Sequence, residues 1–203
     1  MIKVLKPGMQ TTVQDYPGRL GYWDIGIPPS GAIDDLALRT GNLLLGNEEG
    51  AAGLEITTIG PQLLFNSSCR IVLTGATMPA TLDGKDLSFY QPIDVPENSV
   101  LALGNCQATG MRSYLTVSGG IDVPDYLGSK STFPFGQFGG HEGRALKAGD
   151  SLNIGHAIGF STSNTEVDTS SNQCPETLRP EYKNHWEIKA LLGPHAAPDY
   201  FTK

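Results

Sequence analysis

Polar side chains that could bind a small molecule are concentrated in one stretch near the N-terminus. Glycine and proline residues would shape the backbone of this stretch. This stretch runs from Gln10 to Asp35 and separates an apolar segment from an amphipathic one. Glycine and proline free or fix backbone angles at defined points, so polar groups can be held in a set arrangement. The composition therefore predicts a shaped loop that binds something polar through hydroxyl, amide, carboxylate and guanidinium groups, carried by Thr11, Thr12, Gln14, Asp15, Arg19 and Ser30.

A second stretch of the same character runs from Gly119 to Arg144. It contains the glycine pairs Gly119-Gly120 and Gly139-Gly140, and His141 lies near its end. Backbone N–H groups of glycine are open to close approach, which suits the stabilisation of a negatively charged oxygen. Glycine pairs more often form turns, so the pattern alone leaves both interpretations open.

The overall charge restricts the kind of partner. The 203 residues carry a net charge of −7 and no run of lysine and arginine, which argues against nucleic acid or an anionic membrane as the main partner. A small molecule or a protein is the expected partner. The chain has no apolar stretch long enough to span a bilayer, and its N-terminus lacks the apolar core of a signal peptide, so we expect a cytoplasmic protein.

Neither cysteine nor histidine spacing indicates a metal site. The cysteines are odd in number and far apart, and the histidines lack an H-x-x-x-H spacing. We therefore expect free thiols and no metal. The residues concerned are Cys69, Cys106, Cys174, His141, His156, His185 and His195.

The elements that would position the two loops are mainly strands. Residues Ile2 to Leu5 read as a first strand, and ALKAGDSLNIG reads as a turn followed by a closing strand. Between them, short turn-bounded strands are typical of a barrel or sandwich, with Asp83-Gly84 as a hairpin turn. The predicted strands from Leu54 onward are LEITTI, QLLF, CRIVLTG, ATLDG, DLSF, SVLALG and MRSYLTVSGG.

One helix is predicted after the first loop. Ser30 is its expected N-cap, with Asp34 and Asp35 in the first turn, where the helix dipole favours carboxylates. Gly46-Asn47 would end it, and Gly41 inside it marks either close packing or a weak point. The helical apolar stripe consists of Ile33, Leu36, Ala37, Leu43 and Leu44.

The polar run at 161–183 predicts an exposed linker, so residues 1–160 form the first unit. Apolar residues resume over 184–203, ending near Tyr200 and Phe201. This pattern indicates a second unit that is only begun, although a terminal strand returning to the first unit would look the same.

Six signatures in order resemble the carboxyltransferase domain of urea carboxylase (urea amidolyase), within the broader family of allophanate hydrolase subunit 2, KipA-like proteins and the C component of 5-oxoprolinase. They are GMQTTVQDYPGRLGYW, PPSGAIDD, GLEIT followed by GP, SGGIDVPDYLGSKST, FGGHEGRAL followed by GD, and WEIKALLGPHAAPDYFT.

The resemblance implies a mainly β protein, a cyclophilin-like β-barrel with one or two short helices. It implies that 1–160 is the first barrel half of the carboxyltransferase domain, 161–183 a linker and 184–203 the truncated start of the second half. The implied reaction transfers the carboxyl group of carboxybiotin to urea and gives allophanate. The biotin would be carried on a separate biotin carboxyl carrier domain and charged by an ATP-dependent biotin carboxylase domain, and this chain alone would be inactive.

On this resemblance, Asp15, Arg144 and His141 are the candidate catalytic residues. The candidate residues for binding urea or biotin are Gln10, Thr11, Ser30, Glu55, Gly119, Gly120, Gly139, Gly140 and His195. Each has a structural alternative: Asp15 and Arg19 could form an ion pair that fixes the loop, and Glu55 could be buried and paired. Ser30 could cap the helix, and His195 could cap a turn.

Two other functions fit the same resemblance. One is a component of an ATP-dependent 5-oxoprolinase, an amidohydrolase without biotin. The other is a KipA-like regulatory protein that binds a protein kinase or its inhibitor. A biotin carboxylase domain fused upstream would indicate urea carboxylase, and separate small neighbouring subunits would indicate 5-oxoprolinase. Tight protein binding without binding of a small ligand would indicate the regulator.

Overall fold

The structure is a computed structural model that describes residues 1–106, 109–156 and 173–191. Within these ranges the chain forms two antiparallel sheets and one α-helix, with short 3-10 helices at Trp23–Ile25 and Glu176–Leu178. The prediction of a mainly β fold with one or two short helices is confirmed. Among the described residues, no helix has the length and apolar character needed to cross a membrane.

The first sheet has seven strands in the order β11-β12-β1-β4-β9-β6-β7. Its strands are β1 (Ile2–Lys6), β4 (Gln62–Phe65), β6 (Ala80–Leu82), β7 (Lys85–Asp86), β9 (Ser99–Leu103), β11 (Ile121–Asp122) and β12 (Ser151–Ile154). Alternation along QLLF places Leu63 and Phe65 inside, as expected for a strand with one buried face.

The second sheet has five strands in the order β2-β3-β10-β5-β8. Its strands are β2 (Gln10–Gln14), β3 (Gly53–Thr57), β5 (Cys69–Gly75), β8 (Ile93–Val95) and β10 (Arg112–Val117). Apolar side chains from both sheets meet in one core, which includes Ile2, Leu63 and Leu101 from the first and Leu54 and Leu73 from the second. Burial of this shared core stabilises the packing of the two sheets.

The helix α1 (Asp35–Leu44) lies across β5 and β10 on the outer side of the second sheet. It covers that side, which is why the CRIVLTG strand is buried on both faces from Ile71 onward. Gly41 is required by this contact, since a Cβ there would lie 2.6 Å from Thr116 Oγ1. The glycine therefore marks close packing rather than a weak point.

The predicted start and orientation of α1 are wrong. Ser30 has a positive φ of 57° and lies four residues before the N-cap, which is Asp34; Asp34 accepts a hydrogen bond from the backbone N–H of Ala37 at 3.0 Å. The buried face consists of Ala37, Leu38, Gly41 and Asn42. Of the predicted stripe, Ala37 is buried and Leu44 packs against the core. Ile33, Leu36 and Leu43 are exposed instead.

The first polar stretch is also less of a loop than predicted. Gln10–Gln14 forms β2, which pairs with β3 along its whole length, so the irregular part begins at Asp15. The Asp83-Gly84 turn joins β6 to β7 as predicted, but DLSF does not continue as a strand beyond Asp86.

Candidate functional site

A cavity of about 360 Å³ lies where the irregular parts of the two polar stretches begin. Asp15 and Tyr16 from the first stretch and Gly119, Gly120 and Lys130 from the second line its wall. The two stretches therefore meet at this cavity, the first through Asp15 and Tyr16 and the second through residues between 119 and 130.

Asp15 joins the two stretches through hydrogen bonds. One carboxylate oxygen accepts from the hydroxyls of Ser129 at 2.8 Å and Ser131 at 2.5 Å, and the other accepts from the backbone N–H of Lys130 at 2.6 Å. The Asp15 N–H in turn donates to Ser131 Oγ at 3.0 Å. Because the carboxylate is buried and already accepts three hydrogen bonds, it acts as a clamp on the segment that carries Lys130.

Arg19 does not pair with Asp15, so the alternative of an ion pair between them is wrong. Its fully buried guanidinium donates to the backbone carbonyls of Tyr126 at 2.9 Å and Ser131 at 3.1 Å. The Phe138 ring lies 4.9 Å from the guanidinium carbon, and Nη1 has no hydrogen-bond partner among the described residues. Arg19 therefore holds the same Tyr126–Ser131 segment from a second side.

Gly119 and Gly120 line the cavity, but their N–H groups are occupied. Gly119 N donates to Asn47 Oδ1 at 2.9 Å, and Gly120 N donates to the Val117 carbonyl at 2.8 Å. A Cβ on Gly119 would lie 2.3 Å from the Gly155 carbonyl oxygen, so glycine is needed for a close crossing of two chain segments. These two N–H groups could stabilise an oxyanion only after losing their present partners.

The second glycine pair is not brought to the cavity wall. A Cβ on Gly139 would lie 2.1 Å from the Ser131 carbonyl oxygen, and one on Gly140 would lie 1.9 Å from Thr132 Oγ1. Gly140 N donates to the Lys130 carbonyl at 3.1 Å. The glycine pair thus packs closely against the segment that carries Lys130.

His141 and Arg144 belong to a separate cluster around Asp150. Arg144 donates to both Asp150 oxygens, at 2.7 and 3.0 Å, and also contacts the Glu142 carboxylate. His141 Nε2 lies 3.6 Å from Asp150 Oδ2. The hydrogen bonds from Arg144 lower the pKa of Asp150 to about 2, and the bond to Asp150 raises the pKa of Arg144.

The charged groups of this cluster pair with one another. His141, Glu142 and Asp150 are close enough together to suggest metal ligands, but Arg144 already occupies both oxygens of Asp150. A salt-bridge cluster is therefore the better description, and the structure does not bring Arg144 or His141 to the cavity.

Gln10, Thr11 and Ser30 also lie away from the cavity. Gln10 is exposed on β2, opposite Thr57 on β3, and Thr11 is buried and donates to the Pro7 carbonyl at 2.7 Å. Ser30 adopts a left-handed backbone conformation before α1. His195 lies outside the described residues.

Glu55 is buried and paired, as its structural alternative predicted. It accepts hydrogen bonds from the Tyr114 hydroxyl at 2.7 Å and from the backbone N–H of Ile33 at 2.9 Å. Arg112 Nε lies 3.5 Å from its other oxygen. Burial and the neighbouring Glu55 charge raise the pKa of Tyr114, which keeps this phenol a hydrogen-bond donor.

Sequence reasoning missed the ionisable residues that complete the cavity wall. These are Lys130, Glu48, Asp125 and His156. Lys130 had a detectable signal, since the second stretch contains only one other lysine or arginine, Arg144. Glu48 and His156 come from outside both stretches, and only the fold brings them to the wall.

The two-sheet fold, with its cavity between two polar stretches, is that of a carboxyltransferase subdomain, and the chain belongs to the family "Carboxyltransferase domain, subdomain A and B", whose model matches residues 25–203. Two kinds of relative stand out. The chain is 41% identical over 202 residues to the urea amidolyase of Saccharomyces cerevisiae, covering 98% of this chain and 11% of that protein. It is 45% identical over 155 residues to the C component of the Escherichia coli 5-oxoprolinase, covering 76% of this chain and 49% of that component.

Solved structures give the same result. The crystal structure of the Kluyveromyces lactis urea carboxylase matches with a TM-score of 0.80 and 42% identity, over 90% of this chain and 16% of that one. A crystal structure of TTHA0988 matches with a TM-score of 0.73 and 31% identity, over 79% of this chain and 32% of that one. The chain thus spans only about a tenth of the urea amidolyases that it matches.

Proposed function

We propose that this chain is part of the carboxyltransferase component of a biotin-dependent urea carboxylase. The observation that carries the proposal is the 41% identity to urea amidolyase, which extends over 98% of the chain and so includes both stretches around the cavity. The reaction would transfer the carboxyl group of carboxybiotin to urea and give allophanate.

The cavity wall suits such substrates. Its volume of about 360 Å³ is that of a small-molecule site, and its charged groups are mainly carboxylates, namely Asp15, Glu48 and Asp125. Urea offers N–H donors on two nitrogens, which carboxylate oxygens can accept. Lys130 supplies a cation at the same wall for a carboxylate or a developing negative oxygen.

A carrier-bound biotin would supply the activated carboxyl group as a substrate of this site. Lys130 would bind and orient the carboxylate, while Glu48 and Asp125 would accept N–H groups of urea and align its nitrogen for attack. Asp15 is assigned to holding the Lys130 segment, because its oxygens already accept three hydrogen bonds. Gly119 and Gly120 keep the wall free of side chains, so that both substrates can approach.

The domain division is part of the proposal. Residues 1–160 would be the first half of the carboxyltransferase domain, 161–183 the connection and 184–203 the start of the second half. The coverage of 49% of a single 5-oxoprolinase component supports this division. Biotin carboxylase and biotin carboxyl carrier domains would be further partners, and the chain alone would be inactive.

The test uses a complete urea carboxylase that contains this chain. Lys130→Met should lower the rate of carboxyl transfer to urea by about 100-fold, the typical effect of losing one group that stabilises developing charge. Lys147→Met removes an exposed lysine away from the cavity and is the matched control. The 203-residue chain, assayed with separate biotin carboxylase and carrier proteins, is the inactive reference.

Unchanged transfer by Lys130→Met, at unchanged fold content, would contradict the proposed role of Lys130. Comparing urea with guanidine and simple amides as acceptors would define the substrate, because all three present N–H donors to the carboxylates. Turnover with guanidine but not with urea would replace urea as the acceptor.

A second candidate is a component of an ATP-dependent 5-oxoprolinase. The observation in its favour is the 45% identity to the Escherichia coli protein over 155 residues, slightly higher than the identity to urea amidolyase. ATP-dependent opening of 5-oxoproline in the absence of biotin, by the chain together with the other components of such an enzyme, would support this alternative.

A further inference from the structure

The outer face of α1 carries apolar side chains that nothing in the described part of the chain covers. Ile33, Leu36 and Leu43 are 70%, 54% and 62% exposed. Leu36 and Leu43 are seven residues apart and so share one face of the helix, and Ile33 lies just before the N-cap, Asp34. We refer to these three residues as the α1 stripe. The opposite face of α1 is already buried on β5 and β10, so the stripe is a second apolar surface.

The chain that leaves the barrel is anchored next to this stripe. Cys174 is buried in the core, and its N–H donates to the Tyr90 carbonyl at 3.1 Å. Eight residues later, the Tyr182 hydroxyl donates to Asp34 Oδ2 at 2.5 Å. Asp34 is also the N-cap of α1 and adjoins Ile33, so the anchor lies at the N-terminal end of the stripe.

Apolar residues follow this anchor within a short distance. Trp186, Ile188 and Leu191 are each at least 63% exposed. Trp186 follows Tyr182 by four residues and Leu191 follows it by nine, which allows reaches of up to about 14 and about 30 Å. Along the helix axis, Leu36 and Leu43 lie about 10 Å apart, from the rise of an α-helix over seven residues. The segment after the anchor can therefore reach the whole stripe.

We propose that the α1 stripe is the surface on which the second half of the carboxyltransferase domain packs, with the segment that begins at Trp186 as its first part. Three observations favour this occupant: the family comprises subdomains A and B, the chain covers 49% of a relative of the same family, and the chain leaves the barrel at one end of the stripe. The inference rests on the proposed domain division and is independent of carboxyl transfer.

The test compares two proteins, the 203-residue chain and a complete carboxyltransferase domain that begins with it. Leu36→Glu combined with Leu43→Glu should lower the Tm of the complete domain by about 5 °C or more, because a buried interface would receive two charges. The same double variant should shift the Tm of the 203-residue chain by less than about 2 °C, as is usual for exposed positions.

Phe135→Glu is the control, since Phe135 is 96% exposed and lies on the second polar stretch rather than on the stripe. It should have the same small effect in both proteins. Equal shifts for the stripe variant in the two proteins would overturn the proposal.

Thiol labelling gives a second readout that does not depend on how well the charged variant folds. A cysteine introduced by Leu36→Cys should react with a maleimide at least tenfold more slowly in the complete domain than in the 203-residue chain, at any protein concentration. Equal labelling rates would overturn the proposal. Protection that appears in the 203-residue chain only at high concentration would assign the stripe to a second copy instead. Neither readout requires turnover, so a failure of the proposed reaction would not affect them.

Discussion

The second polar stretch contributes to two charged clusters that differ in what remains available to a ligand. In the first, Asp15 is held by Ser129, Ser131 and the backbone of Lys130, and Lys130 lines the cavity. In the second, Arg144 and Asp150 pair through two hydrogen bonds. Both clusters contain the same kinds of residue, namely glycine, acidic residues and a cation. The two clusters differ in how completely their charges are paired. This difference depends on the fold, and the residue composition of a stretch does not reveal it.

The largest effect that distinguishes the clusters should come from removing the clamp. Asp15→Ala would leave two hydroxyls and one N–H without their buried acceptor, so we expect a loss of about 4 kcal/mol in the free energy of unfolding. Urea denaturation of the 203-residue chain would measure this loss. Ser129→Ala removes one of the three donors and should cost about 1 kcal/mol. A loss below about 1 kcal/mol for Asp15→Ala would mean that the clamp does not hold the segment.

Two glycines can be compared to test whether the close crossing at the cavity wall needs glycine more than an ordinary turn does. Gly119 and Gly149 both have positive φ, but only Gly119 lies against another backbone segment, since a Cβ on Gly149 would meet nothing within 4 Å. We expect Gly119→Ala to cost about 3 kcal/mol and Gly149→Ala about 1 kcal/mol, the cost of the left-handed conformation alone. Thermal unfolding of the two variants would check the difference. Similar costs would show that the crossing can relax.

The smallest expected effect is the pH dependence of the closed cluster. Arg144 lowers the folded-state pKa of Asp150 to about 2, below the ordinary value of 3.8, so the stabilisation is complete above about pH 4 and is lost as the pH falls toward 2. After allowance for solvent screening, we expect it to contribute about 1 kcal/mol. The unfolding free energy of the wild type minus that of Asp150→Asn, measured between about pH 2 and 5, should fall by this amount with decreasing pH. A constant difference would contradict the assignment.

Most of the fold could be predicted because alternation along short strands is a local property. QLLF and CRIVLTG form strands with the predicted bounds, and the Asp83-Gly84 turn is a hairpin. The start of α1 could not be fixed in this way, because serine and aspartate are both good N-caps and only tertiary contacts chose Asp34 over Ser30. Its buried face was likewise decided by the fit of Gly41 against Thr116, which no periodicity reports.

The site could be predicted only in outline. Asp15, Gly119 and Gly120 all line one cavity, but the contacts of Asp15 depend on hydroxyls more than a hundred residues away. Lys130 lies between two serines and resembles a solvated loop lysine in sequence. Arg144 seemed the better ligand for an anion, and it is neutralised by Asp150, a partner that the sequence places six residues away without revealing the contact.

The hydrogen bonds from Ser129 and Ser131 to Asp15 have a consequence for biosynthesis. The sequence separations are 114 and 116 residues, so the Asp15 carboxylate has no partner from this segment until the ribosome has made residue 129, and lacks the full set until residue 131. At typical rates of translation, this interval lasts roughly 10 s. During that time the N-terminal strands can pair with one another, but the cavity has only one wall. The cavity wall is therefore among the last parts of the barrel to form on the nascent chain.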